Sequence, residues 1–168
     1  KICADVRVNP RAPRFGTTIL AVHGLTETAA AWGPLTDAIF SDRELRSRVR
    51  RVIAIDLPGH GDSPMPVGLP GALFGELTTD DNVSVLIQSI RILRELGLGS
   101  SMIFGHSMGG LEIQGAQGAL LAKGSSLADL GIRRALLLAP VPGGRHRFTP
   151  PPPGALSALL LTHPAPGT

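Results

Sequence analysis

Ser101-Met102-Ile103-Phe104-Gly105-His106-Ser107-Met108-Gly109-Gly110 decides the fold. It opens as a short apolar run, turns at Gly105-His106-Ser107, and continues into a segment rich in small residues. A short apolar run closed by glycine reads as a buried strand. The pattern G-x-S-x-G across the turn is what a sharp strand-to-helix elbow needs. The serine takes a strained backbone, and a side chain two residues to either side collides with it. A lone match of this pattern is weak. Its position, directly after a strand and directly before a helix, is what gives it weight.

Three further apolar runs share this form. Thr17-Thr18-Ile19-Leu20-Ala21-Val22 ends at His23-Gly24. Arg51-Val52-Ile53-Ala54-Ile55-Asp56 ends at Leu57-Pro58-Gly59-His60-Gly61, and Arg134-Ala135-Leu136-Leu137-Leu138-Ala139 ends at Pro140. Runs that are apolar on both faces are those of a buried parallel sheet. Helical periods lie between them. From Asp80 to Leu96, the residues Val83, Leu86, Ile87, Ile90, Leu93 and Leu96 recur at spacings of three and four, which places them on one face. Thr78, Thr79 or Asp80 is suited to cap its start and Gly97 its end. A second helix is expected from just after Ser107 to about Lys123, its small residues suited to close packing. A third is expected near Pro34–Phe40, with proline in the first turn.

Strand and helix in alternation predict an α/β fold, a mostly parallel sheet with crossover helices. Ala4–Val8 alternates as an edge strand does. Residues 62–78 read as a loop. No further strand is legible after Ala139, where Pro150–Pro153 and a short apolar piece, Leu156–Leu161, follow. The expected division is therefore a core over 1–145 and a Pro-rich segment over 146–168, the start of a lid or cap, or a linker.

The 168 residues, 43% of them hydrophobic, are enough for one domain with a real core. The charge of +3 is small, and 14 of the 16 basic residues are arginines with no run longer than two. With no tyrosine and one tryptophan, a base-stacking platform is poorly supplied, so no nucleic-acid partner is expected. No apolar stretch reaches membrane-spanning length. One cysteine excludes a disulfide framework and a Cys-rich zinc site. It leaves the compartment open, cytoplasmic or secreted, with no signal peptide in the sequence.

Three ordered motifs, each at a strand end, resemble the α/β-hydrolase superfamily over about residues 15–145. They are His23-Gly24-Leu25 with Trp32 following, Asp56-Leu57-Pro58-Gly59-His60-Gly61-Asp62-Ser63, and the Gly105–Gly110 elbow. The resemblance is to the esterase and lipase-like branch. It implies Ser107 as nucleophile and the backbone N–H groups of Leu25 and Met108 as the oxyanion hole. It implies loop-supporting roles for His23, Gly24, Gly105, His106 and Gly109, a like role for His60, and a loop-ordering one for Asp56. It calls for no cofactor and no metal.

The reaction so implied is cleavage of a carboxylic ester through an acyl-enzyme. The small-molecule ester would carry an apolar acyl group, with Leu25, Trp32, Met108 and Leu111 as pocket residues or core. The same motifs serve cofactor-free haloperoxidases or perhydrolases, lactonases and C–C hydrolases. They also fit a non-catalytic binding module. A serine needs a base and an acid. After Ser107 the acids are Glu112 and Asp129 and the histidines are His146 and His163, none at the family's positions. The expectation is that the C-terminal strands, acid and base are missing from this stretch, or are supplied by a second chain.

Overall fold

The computed structural model describes residues 1–65, 78–139 and 157–161. Six strands, β1 (Ala4–Val8), β2 (Thr17–Val22), β3 (Val49–Ile55), β4 (Met102–His106), β5 (Arg134–Leu138) and β6 (Ser157–Leu161), form one sheet in the order β1-β3-β2-β4-β5-β6. All neighbours are parallel except β1, which runs antiparallel to β3 at the edge. The helices are α1 (Gly33–Ser41), α2 (Thr79–Glu95) and α3 (Met108–Leu121), with 3-10 turns at Ala29–Trp32 and Leu45–Ser47.

This topology follows from one rule applied twice. From β2 the chain crosses to β3 on one side; from β3 it returns past β2 to β4 on the other. Right-handed crossovers in opposite directions place their helices on opposite faces. Side-chain alternation matches this. Leu20 and Val22 of β2 face the cluster made with Val83, Leu86 and Ile90 of α2 and Ile113 and Ala116 of α3. Ile19 and Ala21 face the other way, into a cluster with Trp32, Ile39 of α1 and Phe104. Each fully buried Leu or Ile contributes on the order of 1.5–3 kcal/mol. The strand order reverses between β2 and β4. In open α/β sheets, the crevice beyond the carboxyl ends at that reversal is where ligands bind. His23-Gly24 and Gly105-His106-Ser107 both lie there.

α2 starts with a reciprocal cap. Thr78 Oγ accepts from the Asp81 N–H, and the Asp81 carboxylate accepts from the Thr78 N–H. These bonds hold the Asp81 carboxyl below its usual range. Gly97 follows the helix with φ 72°. Of the expected apolar face, Val83, Leu86 and Ile90 are buried and Ile87 and Leu93 partly so, but Leu96 is 67% exposed. Leu96 stands at the cap, past the last turn that the sheet can cover.

The sheet also continues further than the sequence indicated. Ser157–Leu161 pairs in parallel with β5, Arg134 opposite Ser157 through Leu138 opposite Leu161. The apolar piece Leu156–Leu161 was legible as apolar but not as a strand, because prolines crowd both its flanks. The expected Pro-rich segment 146–168 lies outside the described residues except for this strand. So do His146, His163 and residues 66–77 of the expected loop.

Candidate active site

Ser107 sits between β4 and α3 with φ 48° and ψ −114°. Non-glycine residues rarely adopt a positive φ, so the elbow carries real strain. The surroundings hold it in place. The Ser107 N–H donates to Leu138 O at 2.9 Å, and Ser107 O accepts from the N–H groups of Gly110 and Leu111. The side chain makes no capping bond, and among the described residues Oγ has no hydrogen-bond partner at the N-terminal end of a 14-residue helix. That end of a helix favours negative charge.

The loop after β2 packs against this elbow. A Cβ built on Gly24 would stand 3.2 Å from Ser107 Cβ, 3.2 Å from His106 Nδ1 and 3.0 Å from Glu27 Oε2. Glycine is what lets the two loops meet. Thr26 takes φ 64°, and the Glu27 N–H donates to Gly24 O at 3.3 Å, closing the turn. Among the described residues, neither the Leu25 N–H nor the Met108 N–H donates to a protein acceptor. Two unengaged donors beside a free hydroxyl suit a carbonyl oxygen on which charge develops.

His23 is fully buried and bonded on both ring nitrogens. The Leu57 N–H donates to Nε2 at 3.0 Å, which places the proton on Nδ1, where it donates to Gly24 O at 2.7 Å. Burial pushes its pKa down, which favours the neutral ring that the Leu57 N–H bond to Nε2 requires. His23 thus ties the loop after β2 to the loop after β3. His60 lies against it, ring centroids 4.9 Å apart, with Nδ1 3.0 Å from Pro58 O.

Asp56 orders the next loop. Its Oδ1 accepts from the Ala29 N–H at 2.6 Å and its Oδ2 from the Asp62 N–H at 3.0 Å, while its backbone carbonyl accepts from Ser63 Oγ. Gly61, at φ 50°, leaves no room for a Cβ, which would run into that carboxylate. Asp56→Ala strands two backbone donors in a buried site. It is expected to lower the unfolding free energy by about 2–4 kcal/mol, with Asp56→Asn losing less. Urea unfolding of both variants measures this.

Sequence reading passed over Glu27. Its Oε2 accepts from the Gly24 N–H at 2.7 Å and stands 2.9 Å from His106 Nδ1. Burial raises its pKa, but the bonds to His106 and Gly24 outweigh that and hold it below the usual range. The available signal was a carboxylate three residues beyond Gly24 and a histidine beside the elbow serine, groups 79 residues apart in sequence.

The two acids after Ser107 lie elsewhere. Glu112 is buried between α2 and α3, where it accepts from Asn82 Nδ2 at 3.4 Å. Asp129 is taken up by the N–H of Ser126 and the hydroxyls of Ser125 and Ser126, which hold its carboxyl below the usual range. Trp32 is core, 5% exposed, its ring tilted against that of Phe104 with centroids 6.2 Å apart. Leu25 is exposed, and Met108 and Leu111 are half-buried. Among the described residues, no group of three or more His, Cys, Asp or Glu could hold a metal. No described helix is long and apolar enough to cross a membrane.

The sequence model described as the alpha/beta hydrolase family matches residues 19–168. The dihydrolipoyllysine-residue acetyltransferase component of an acetoin cleaving system from Pseudomonas putida is 32% identical over 124 residues, 72% of this chain and 29% of that protein. A probable hydrolytic enzyme from Pseudomonas aeruginosa superposes with a TM-score of 0.58 at 24% identity, over 83% of this chain and 37% of its own. A monoacylglycerol lipase from Paleococcus ferrophilus superposes with 0.52 at 24%, over 83% and 43%. A marine microorganism esterase superposes with 0.59 at 17%, over 89% and 46%. These structural likenesses are of fold, and the chain spans less than half the length of each of these relatives. The elbow between β4 and α3, the reversal of strand order beside it and the family match agree: this chain belongs to the alpha/beta hydrolase family.

Proposed function

We propose that the chain carries the nucleophile and oxyanion hole of a serine hydrolase that cleaves carboxylic esters. The observation that carries the reading is the Ser107 hydroxyl, unengaged among the described residues, at the N-terminus of α3 on a strained elbow. In this reading Ser107 Oγ attacks the ester carbonyl and gives its proton to a histidine. The tetrahedral oxyanion lies between the N–H groups of Leu25 and Met108. The alkoxide takes up the proton and leaves as alcohol, and water then hydrolyses the acyl-enzyme.

His23 is unsuited to act as the base, since both of its nitrogens are already bonded within the loops. In this reading His60 and His106 keep their loop-supporting roles, and the base is His146, His163, or a histidine supplied by a further segment or a second chain. Esterases and lipases among the structural relatives support an ester substrate. The half-buried side chains of Met108 and Leu111 beside the elbow favour an apolar acyl group.

The test is intact-mass analysis of the native protein, with any further segment or second chain that accompanies it, before and after a fluorophosphonate, which labels an activated serine and spares an idle one. One adduct per chain, mapping to Ser107, is the expected result. Hydrolysis of p-nitrophenyl butyrate should fall by about 10⁴-fold or more in Ser107→Ala. No adduct, or an adduct retained in Ser107→Ala, removes the reading.

A further inference from the structure

We infer that Glu27 is a positioning residue, a latch that fixes the loop carrying the Leu25 N–H against the nucleophile elbow. The inference rests on the proposed serine-hydrolase reading and adds to it a residue that touches neither substrate nor reacting atoms.

One oxygen makes the latch. Glu27 Oε2 accepts from the Gly24 N–H at 2.7 Å and pairs with His106 Nδ1 at 2.9 Å. The first bond belongs to the loop after β2, the second to the last residue of β4. His106 is covalently next to Ser107, and Gly24 is next to Leu25. The carboxylate thus joins the neighbour of one proposed oxyanion donor to the neighbour of the nucleophile. Among the described residues, no other side chain bonds to both segments.

The loop needs such a tie. Thr26, between Leu25 and Glu27, sits at φ 64°, a conformation that costs a threonine free energy and persists only where surroundings impose it. The turn's own closing bond, Glu27 N–H to Gly24 O, is long at 3.3 Å. His23 restrains Gly24 from the other side, through its Nδ1–H to Gly24 O. Gly24 is therefore gripped at its carbonyl by His23 and at its N–H by Glu27. The Leu25 N–H belongs to the same peptide unit as the Gly24 carbonyl, so fixing Gly24 at both ends sets the direction of that donor.

The position of an oxyanion donor matters steeply. Removing one typically costs about 10²–10³ in rate, so loosening one is expected to cost about 10–100-fold. The loss belongs in kcat, because the donor acts on charge that appears only in the transition state.

The pair is partly exposed, with side chains 32% and 42% accessible, so the global stability of the chain should hardly depend on it. Other titratable groups nearby are His23, which faces Glu27, and Asp56 and His60, which face His23.

The experiment compares Glu27→Ala with Glu27→Gln. Both bonds fall on one oxygen, so a glutamine carbonyl in the same place accepts both and only the charge is lost. With p-nitrophenyl butyrate, Glu27→Ala should lower kcat by about 10–100-fold at unchanged KM. Glu27→Gln should stay within about threefold of the parent. Hydrogen exchange read by mass spectrometry supplies a second readout that needs no turnover. Segment 23–28 should exchange faster in Glu27→Ala, with 102–106 and the α2 core unchanged. No change in exchange in Glu27→Ala overturns the latch, and so does an unchanged kcat. A glutamine variant as slow as the alanine one also overturns it, because the negative charge itself would then be acting. Failure of the serine-hydrolase reading registers separately, as an unlabelled Ser107 in the parent chain.

Discussion

Gly109→Ala is expected to lower the unfolding free energy by about 3 kcal/mol or more and to slow labelling of Ser107 by about 10²-fold or more. Gly109 lies in the first turn of α3, where the helix presses against the end of β2. A Cβ there would run into Val22 O, with His23 O at 2.7 Å and Val22 C at 2.8 Å. These are backbone atoms, so no side chain can swing away to make room. Either α3 shifts outward or the end of β2 does. Both displace the nucleophile relative to the loop after β2, and a shift of about 1 Å can cost 10²-fold in rate.

The same helix supplies a control. A Cβ built on Gly118 meets nothing within 4 Å. Gly118→Ala should therefore raise stability by about 0.5–1 kcal/mol, as alanine does in an unobstructed helix. Urea unfolding and fluorophosphonate labelling rates of the two variants check both effects. Equal behaviour of the two would mean that α3 does not pack on β2 through Gly109.

The contrast between these glycines shows what the sequence made legible. Strand ends were readable because apolar runs and Gly or Pro turn chemistry are local signals, and Ser107 was readable because an elbow needs glycines at fixed offsets. That α3 packs closely was readable from its small residues, and the elbow pattern marked Gly109 as a position without room for a side chain; that the backbone of β2 is what fills the space beside it was not. Leu96 kept the helical period but lies where the helix has already ended. β6 was hidden because a five-residue apolar piece among prolines carries little strand signal of its own and is ordered by pairing with β5. Glu27 was missed for the same kind of reason. Its partner His106 is distant in sequence, and only the adjacency of β2 and β4 brings the two together.

Glu112 was readable as an acid in the elbow helix, but not as a buried one. It is 1% exposed, and among the described residues Oε2 has no hydrogen-bond partner. Burial, with Asp80 adding a little, raises its pKa from 4.5 to about 7 against the bond from Asn82. Below pH 4.5 the carboxyl is neutral in both folded and unfolded chains. Between 4.5 and 7 the folded chain keeps a proton that the unfolded chain has lost. Stability therefore falls as pH rises through that window and levels off above it, by about 3 kcal/mol from this group.

Glu112→Gln is neutral at every pH and nearly the same shape. Its amide also brings N–H donors to a site where, among the described residues, Asn82 Oδ1 lacks a partner. The variant should match the parent near pH 4.5 and exceed it by about 1–3 kcal/mol at pH 8. Urea unfolding at the two pH values measures the difference. If parent and variant lose stability in parallel between them, the pH dependence belongs to other groups and Glu112 is ionised within the fold. If they diverge as expected, the acid five residues beyond Ser107 is neutral in the folded chain below about pH 7. The N-terminal end of α3 then keeps its favourable potential for an oxyanion, undiminished by a negative charge inside the same helix.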